Sequence, residues 1–172
     1  MDYVRRLRTL VGGDELLQLP SVSIALRDEE ERVLLARHVE TGLWGLPGGG
    51  VEPGETAANA AVREMWEETG VLVRLTRLVG VFSGPDHIIQ YRNGDRTSYV
   101  STTFEAVRMA GSVRLDKAEL LEIRFVTAAE AAALQLPPWM PEILAALFGP
   151  PGVLSFRPQT WSPPLDDSPA RA

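Results

Sequence analysis

Three glutamates on one short segment are the residues whose types and spacing most directly indicate chemistry. Glu64, Glu67 and Glu68 are three and four positions apart, so on a helix they share one face. Like charges at these spacings destabilise a helix by about 0.2–0.5 kcal/mol per pair. A divalent cation would remove that cost, and a set of oxygen ligands favours hard ions such as Mg²⁺ or Mn²⁺. A solvated acidic face is the alternative that this segment alone leaves open.

The segment around these glutamates has the signals of a helix from Thr56 to Thr69 that ends at Gly70. On a helical wheel, four residues form a separate stripe that we expect to face the core: Ala58, Val62, Met65 and Thr69. Three small residues continue the acidic face towards the N-terminus: Ala57, Ala60 and Ala61. The pattern therefore predicts a helix that packs on one side and presents a bare acidic strip on another.

The residues that precede the helix favour a phosphate site. Six glycines lie between Gly42 and Gly54, and glycines let the backbone approach a ligand closely. The N-terminus of the helix itself attracts phosphate oxygens. Glu55 comes directly before the helix and Arg63 eight positions later, so we expect these two side chains to pair.

The stretch from Gly49 to Val71 resembles the Nudix box. That motif is Gly, five residues, Glu, seven residues, Arg-Glu, an aliphatic residue, any residue, Glu-Glu, any residue, Gly and an aliphatic residue. Every fixed position is matched here, with Met65 and Val71 in the aliphatic positions. The preceding Trp44-Gly45-Leu46-Pro47-Gly48-Gly49 and the predicted strand order extend the resemblance over residues 18–135.

The resemblance implies a fold and an activity. The fold is α+β, a Nudix-type α/β/α sandwich around a mixed β-sheet. The activity is hydrolysis of a diphosphate linkage in a nucleoside diphosphate derivative, with release of a nucleoside monophosphate and with Mg²⁺ that Mn²⁺ can replace. ADP-ribose or a nucleotide sugar is the favoured substrate type. The alternatives are a pyrophosphohydrolase of nucleoside triphosphates or dinucleoside polyphosphates, and a non-catalytic nucleotide-binding regulatory module.

The resemblance also implies roles for individual residues. By position, the expected metal ligands are Glu64, Glu67, Glu68 and the carbonyl of Gly48. Glu55 is expected to orient Arg63. In many Nudix hydrolases a carboxylate from a later loop assists as a base or ligand. The corresponding loop here is Leu115–Glu122, in which we expect Glu119 first and Asp116 second to take this part.

Candidate substrate contacts come from three further residues. Arg37 ends a predicted strand near the glycine-rich loop, where it could meet a phosphate. Phe82 and Tyr99 could stack on a base. The structural alternatives are a surface charge for Arg37 and core packing for the two aromatic rings.

The rest of the chain reads as strands and short helices in one domain, residues 1–148, which begins with a helix over residues 1–12. Pro20–Leu26 and Arg32–His38 are predicted strands that an acidic turn would join as a hairpin. A second hairpin is predicted around Asn93-Gly94. Residues 149–172 are rich in proline, and we expect an extended or disordered tail, docked by Phe156 or Trp161.

Composition excludes several classes of function. The chain has 172 residues, a net charge of −6 and no cysteine, which argues against a basic nucleic-acid surface, disulfide scaffolds and thiolate metal sites. It has no apolar run of transmembrane length. We therefore expect a small-molecule nucleotide as the partner, with no nucleic acid and no membrane, and a cytoplasmic location. A homodimer is left open.

Overall fold

The computed structural model describes residues 2–150 and 152–157. These residues form four α-helices: α1 (Asp2–Val11), α2 (Ala57–Thr69), α3 (Ala128–Ala132) and α4 (Met140–Phe148). They also form eight strands: β1 (Leu16–Leu26), β2 (Val33–His38), β3 (Trp44–Gly45), β4 (Gly48–Gly50), β5 (Leu72–Phe82), β6 (Ile88–Gln90), β7 (Arg96–Ala110) and β8 (Leu120–Val126). No helix among the described residues is long and apolar enough to cross a membrane.

The strands form two sheets. The larger has five strands in the order β4-β1-β7-β5, with β6 paired to the remaining part of β7. It is mixed, because β1 and β7 run parallel while the other pairs are antiparallel. The smaller sheet has three antiparallel strands in the order β3-β2-β8. The two sheets meet at the end of β1 and the start of β2, where Arg27 forms an antiparallel bridge with Val33.

The two sheets together form one layer between helices. In β2, Val33 and Leu35 are buried in a cluster with α3 and α4, whereas Leu34 between them is buried in a cluster with α2. Since successive strand residues point to opposite faces, α2 covers one face of the layer and α3 and α4 cover the other. The α+β class and the α/β/α arrangement expected from the sequence are confirmed.

The first predicted hairpin is wrong. β1 and β2 follow each other along the chain, but they belong to different sheets and share the single bridge between Arg27 and Val33. The acidic turn reverses the chain as expected, with the N–H of Asp28 donating to the carbonyl of Arg32 at 3.1 Å. β7 pairs along the whole of β1 and β4 pairs with Ser21–Ser23, whereas β2 pairs with β3 and β8 in the neighbouring sheet.

Local residue types account for the helix ends and for the second predicted hairpin. Thr56 caps α2 by accepting a hydrogen bond from the N–H of Asn59, and Gly70 ends the helix in the left-handed conformation. Thr127 and Glu130 form the capping box of α3. The hairpin of β6 and β7 turns at Gly94, which has a φ of 92°.

The start of the proline-rich tail is extended and bound to the edge of the larger sheet. Ser155 donates its N–H to the carbonyl of Val79 at 3.0 Å and accepts from the N–H of Val81 at 3.2 Å. Phe156 is 71% exposed, so the backbone rather than this ring docks the segment. Trp161 and the remainder of residues 158–172 lie outside the described residues. The proposed boundary at residue 148 stays a prediction.

Replacing Gly48 by alanine tests how closely β4 approaches β1. Gly48 has a φ of 152°, and a Cβ there would overlap the carbonyl of Val22 and the Cα of Ser23. We expect Gly48→Ala to lower the free energy of unfolding by about 2–4 kcal/mol, because the added methyl group forces two paired strands apart. Urea unfolding followed by circular dichroism measures the change.

Gly50→Ala is the matched control, since a Cβ at Gly50 meets nothing within 4 Å. Its expected cost is below about 1 kcal/mol. Equal free energies of unfolding for the two variants would contradict the close approach of β4 to β1.

Candidate active site

The glutamate face of α2 points partly into the protein, which corrects the expected bare acidic strip. The buried residues of the helix are Ala60, Ala61, Met65, Glu68 and Thr69. Ala58, which the helical wheel assigned to the core, is exposed. Because alanines at 60 and 61 add little bulk, α2 packs closely on the sheet with part of its acidic face inward.

Glu68 is 3% exposed although it carries a carboxyl group. Its Oε2 accepts one hydrogen bond, from the N–H of Gly48 at 3.3 Å. Burial, followed by the charges of Glu64 and Glu119, raises the pKa of Glu68 from its ordinary 4.5 to about 8. A carboxylate in this position is uncompensated unless a proton or a cation binds it.

Glu64 lies directly against β4. A Cβ placed on Gly49 would be 2.7 Å from the carboxylate carbon and both carboxylate oxygens of Glu64, so the lack of a side chain at Gly49 makes this contact possible. Oε1 of Glu64 accepts a hydrogen bond from Nη1 of Arg63 at 2.8 Å. Burial raises the pKa of Glu64, and the ion pair with Arg63 opposes that rise.

Glu67 completes the set at the solvent edge. Its side chain is 58% exposed, and its Oε2 lies 3.2 Å from Nη1 of Arg63. The three glutamates therefore differ in environment along one helix face: Glu68 is buried, Glu64 is half-buried and Glu67 is exposed.

Arg63 is fixed by the pairing that its spacing from Glu55 predicts. Nε and Nη2 of Arg63 donate to the two carboxylate oxygens of Glu55 at 3.0 and 2.9 Å, which is the bidentate geometry that arginine favours. These hydrogen bonds lower the pKa of Glu55. Nη2 also donates to the carbonyl of Gly50 at 2.9 Å. The sequence did not predict this last contact, because a backbone carbonyl leaves no signal in residue type.

The loop between β7 and β8 closes over the C-terminal end of α2. The N–H of Arg114 donates to the carbonyl of Thr69 at 2.8 Å, and the N–H of Asp116 donates to the carbonyl of Glu68 at 3.0 Å. These bonds satisfy carbonyls that the end of a helix leaves free. The loop that was expected to supply a further carboxylate is therefore held beside Glu68.

Within this loop, Glu119 and Asp116 differ in what their side chains do. The charge of Glu119 is close enough to raise the pKa of both Glu64 and Glu68. The charge of Asp116 also acts on Glu68, but its Oδ1 accepts a hydrogen bond from the N–H of Ala118 at 2.9 Å and so supports the turn of the loop. Glu119 is exposed, and its N–H donates to the carbonyl of Asp116 at 3.1 Å, which places its backbone near Glu68 at the corner between α2, β4 and this loop.

The oxygen atoms available at this corner are of the chemical type that a hard divalent cation prefers. They do not form a complete coordination site among the described residues. Carboxylates and a backbone carbonyl are oxygen donors of the kind that Mg²⁺ prefers. In the part of the chain that the structure describes, no group of three acidic or histidine side chains stands ready to hold a metal ion. Arg63 contacts Glu64 and Glu67 through one carboxylate oxygen each, Oε1 of Glu64 and Oε2 of Glu67, so a cation can bind either residue through its other oxygen.

The predicted substrate contacts have different surroundings. Arg37 is half-buried, and its Nε donates to the carbonyl of Gly42 at 2.9 Å. Tyr99 is half-buried, with its hydroxyl 2.6 Å from that of Tyr91. Phe82 is 1% exposed and packs in the core beside His87. Phe82 is therefore a core residue, which is the structural alternative given for it, and a nucleotide base cannot reach its ring.

Comparison with known proteins gives a family match over most of the chain. A family model described as NUDIX domain matches residues 17–147. Among solved structures, the chain is similar to a MutT protein from Methanosarcina mazei Go1, with a TM-score of 0.64 and 24% identity over 77% of this chain and 94% of that chain. This structural similarity concerns the fold alone.

Two of the curated relatives match a shorter stretch. A putative 8-oxo-dGTP diphosphatase of Bacillus subtilis (strain 168) is 44% identical over 62 residues, or 36% of this chain and 42% of that protein. An ADP-ribose pyrophosphatase of Methanocaldococcus jannaschii is 39% identical over 71 residues, or 39% of this chain and 42% of that protein. The matched region thus spans less than half the length of each of these two relatives.

The buried carboxyl of Glu68 predicts an unusual dependence of stability on pH. Its pKa of about 8 lies above the ordinary 4.5, so the folded state binds the proton more tightly than the unfolded state. The stabilisation is complete below about pH 4.5 and is lost as the pH rises through 8. In chelator, we therefore expect Glu68→Gln to raise the Tm over wild type by an amount that grows from pH 5 to pH 8.5.

Thermal unfolding in EDTA across this pH range makes the comparison. Glu67→Gln is the matched control, since Glu67 is exposed on the same helix; a difference that grows as much in this variant would mean that the effect is not specific to the buried Glu68. A difference between Glu68→Gln and wild type that does not grow with pH would mean that Glu68 is not held in a destabilising environment.

Proposed function

The chain belongs to the Nudix family, and from this premise we propose that it is a metal-dependent pyrophosphohydrolase. It hydrolyses a diphosphate linkage in a nucleoside diphosphate derivative and releases a nucleoside monophosphate. The observation that supports this most directly is the burial of Glu68 next to Glu64 and the backbone of β4, within reach of the charge of the exposed Glu119. Three neighbouring carboxylates, one of them buried, form an arrangement that is costly without a cation and useful with one.

In this proposal the metal is Mg²⁺, which Mn²⁺ can replace. Its ligands are Glu64, Glu67, Glu68 and the carbonyl of Gly48. When bound, the ion neutralises the charge of the diphosphate and lowers the pKa of water.

The protein residues then position and move protons. Arg63, fixed by Glu55 and Gly50, holds Glu64 and Glu67 in orientation on the helix. The carboxylate of Glu119 accepts a proton from a water molecule. The oxygen of that water forms a new bond to phosphorus as the bridging P–O bond breaks in line with it, and the leaving phosphate carries away the bonding electron pair.

For the substrate we favour ADP-ribose or a nucleotide sugar. The named relatives include an ADP-ribose pyrophosphatase, and Arg37 and Tyr99 are the proposed contacts for a phosphate and a base. The similarity to a putative 8-oxo-dGTP diphosphatase favours nucleoside triphosphates as the second candidate. A non-catalytic binding module is the third reading, and the complete set of carboxylates argues against it.

Turnover of the purified chain tests the proposal. The substrates are ADP-ribose, nucleotide sugars, dinucleoside polyphosphates and nucleoside di- and triphosphates, each with Mg²⁺, with Mn²⁺ and with chelator. We expect one class to release a nucleoside monophosphate in a metal-dependent reaction. Glu67→Gln and Glu68→Gln should each lower kcat by about 10²-fold or more, because each removes a charged ligand.

Glu29→Gln is the control, because it makes the same chemical change in the exposed turn after β1. Circular dichroism and thermal unfolding verify that each variant is folded. Near-normal kcat in Glu67→Gln or Glu68→Gln at saturating metal would remove that residue from the ligand set. Metal-dependent binding of a nucleotide without cleavage of any substrate would favour the binding module.

A further inference from the structure

The hairpin of β6 and β7 has a firmly held tip. The N–H of Tyr91 donates to the carbonyl of Asp95 at 2.8 Å, and the N–H of Gly94 donates to the carbonyl of Tyr91 at 2.9 Å. The hydroxyls of Tyr91 and Tyr99 are 2.6 Å apart. From the other side, Nε of Arg8 in α1 lies 3.4 Å from Oδ2 of Asp95. The tip therefore has a fixed position relative to the larger sheet.

Arg92, at this tip, binds the loop that connects β2 and β3 in the smaller sheet. Its Nη2 donates to the carbonyl of Val39 at 2.9 Å, and its Nε donates to the carbonyl of Glu40 at 3.1 Å. Its backbone N–H donates to Oε1 of Glu40 at 2.8 Å. The sheets already meet at Arg27 and Val33, at the opposite end of β2. Arg92 thus joins the two sheets at their other end.

The backbone of Val39 connects Arg92 to Glu119 through two hydrogen bonds. Its carbonyl accepts from Arg92, and its N–H donates to the carbonyl of Glu119 at 2.8 Å. The N–H of Glu119 donates to the carbonyl of Asp116 at 3.1 Å, and Asp116 is itself bonded to the carbonyl of Glu68. The backbone of Glu119 is therefore held on one side from α2 and on the other from Val39.

This arrangement matters because the carboxylates at the corner come from separate parts of the fold. Glu64 and Glu68 belong to α2, which packs against β4 and β1 of the larger sheet, whereas Glu119 directly precedes β8 of the smaller sheet. Their relative position depends on how the two sheets are fixed to each other. Misplacement of a reacting group by about 1 Å can cost about 10²-fold in rate.

We propose that Arg92 is a positioning residue for Glu119: it fixes the backbone of Val39 and Glu40 to the hairpin tip, and Val39 in turn holds Glu119 beside Glu64 and Glu68. The part of this proposal that concerns rate rests on the proposed function, and the part that concerns the backbone does not. No contact between Arg92 and substrate is required.

The first test is amide hydrogen exchange, which needs no substrate. In Arg92→Ala we expect the amide of Val39 to exchange about tenfold faster or more, because its hydrogen bond to Glu119 loses the support of the hairpin. Amides of α2 should keep their protection. Arg108→Ala is the matched control, since Arg108 is an exposed arginine near the other end of β7. Unchanged exchange at Val39 in Arg92→Ala would overturn the proposal.

The second test separates positioning from a general loss of structure. On the substrate found by the assay panel, Arg92→Ala should lower kcat about tenfold and change KM by less than about twofold, and Arg92→Lys should recover part of the loss. In a double-mutant cycle with Glu119→Gln, adding Arg92→Ala should cause no further fall in kcat. Effects of the two substitutions that multiply would overturn the proposal.

The results distinguish a failure of the role proposed for Arg92 from a failure of the proposed function. If no substrate of the panel is cleaved, the proposed function fails, while exchange at Val39 still decides whether Arg92 holds the backbone at Glu119. If cleavage occurs and Val39 exchange is unchanged, the proposed function stands and the role of Arg92 does not.

Discussion

The constraint on which the rest of the site depends is the burial of the Glu68 carboxyl between α2 and β4. A buried carboxyl beside two others is unfavourable, and its surroundings reduce that cost only in part. Gly48 donates one N–H to it, and burial raises its pKa to about 8, which favours the protonated form in the absence of a cation. Under the proposed function, the stability that this buried group costs provides a place where a cation binds.

Close packing of α2 makes this burial possible. Ala60 and Ala61 let the helix lie near the sheet, and Gly49 leaves room for the carboxylate of Glu64 where any side chain would overlap it. Arg63 then sits above the strand, fixed by Glu55 and by the carbonyl of Gly50. Glycines in β4 and alanines in α2 are therefore two sides of one interface, and the charged residues occupy the space that these small residues leave.

Local signals in the sequence predicted the limits of α2 because they act locally: Thr56 caps it, and Gly70 adopts the left-handed conformation that ends it. The direction of its acidic face could not be predicted in the same way. A wheel that assigns apolar residues to the core correctly buries Met65 and Thr69, but it places Ala58 inward and Glu68 outward. Both of these are reversed because the small Ala60 and Ala61 also face the sheet and turn part of the acidic face inward. The sequence also did not predict that β1 and β2 belong to different sheets. The turn after β1 specifies a reversal but not the partner, although the continuous burial of Val33, Leu34 and Leu35 is typical of a strand covered on both faces.

The proposed cation site is tested most directly by the Tm of the wild-type chain as a function of Mg²⁺ concentration at pH 8, with NaCl of matched ionic strength as the reference. A cation that binds the folded state and relieves the repulsion of Glu64, Glu68 and Glu119 raises the Tm progressively with concentration, as mass action requires. We expect this rise with Mg²⁺ and with Mn²⁺. A Tm that millimolar Mg²⁺ and Mn²⁺ leave unchanged would contradict the claim that this corner of the fold is built around a cation.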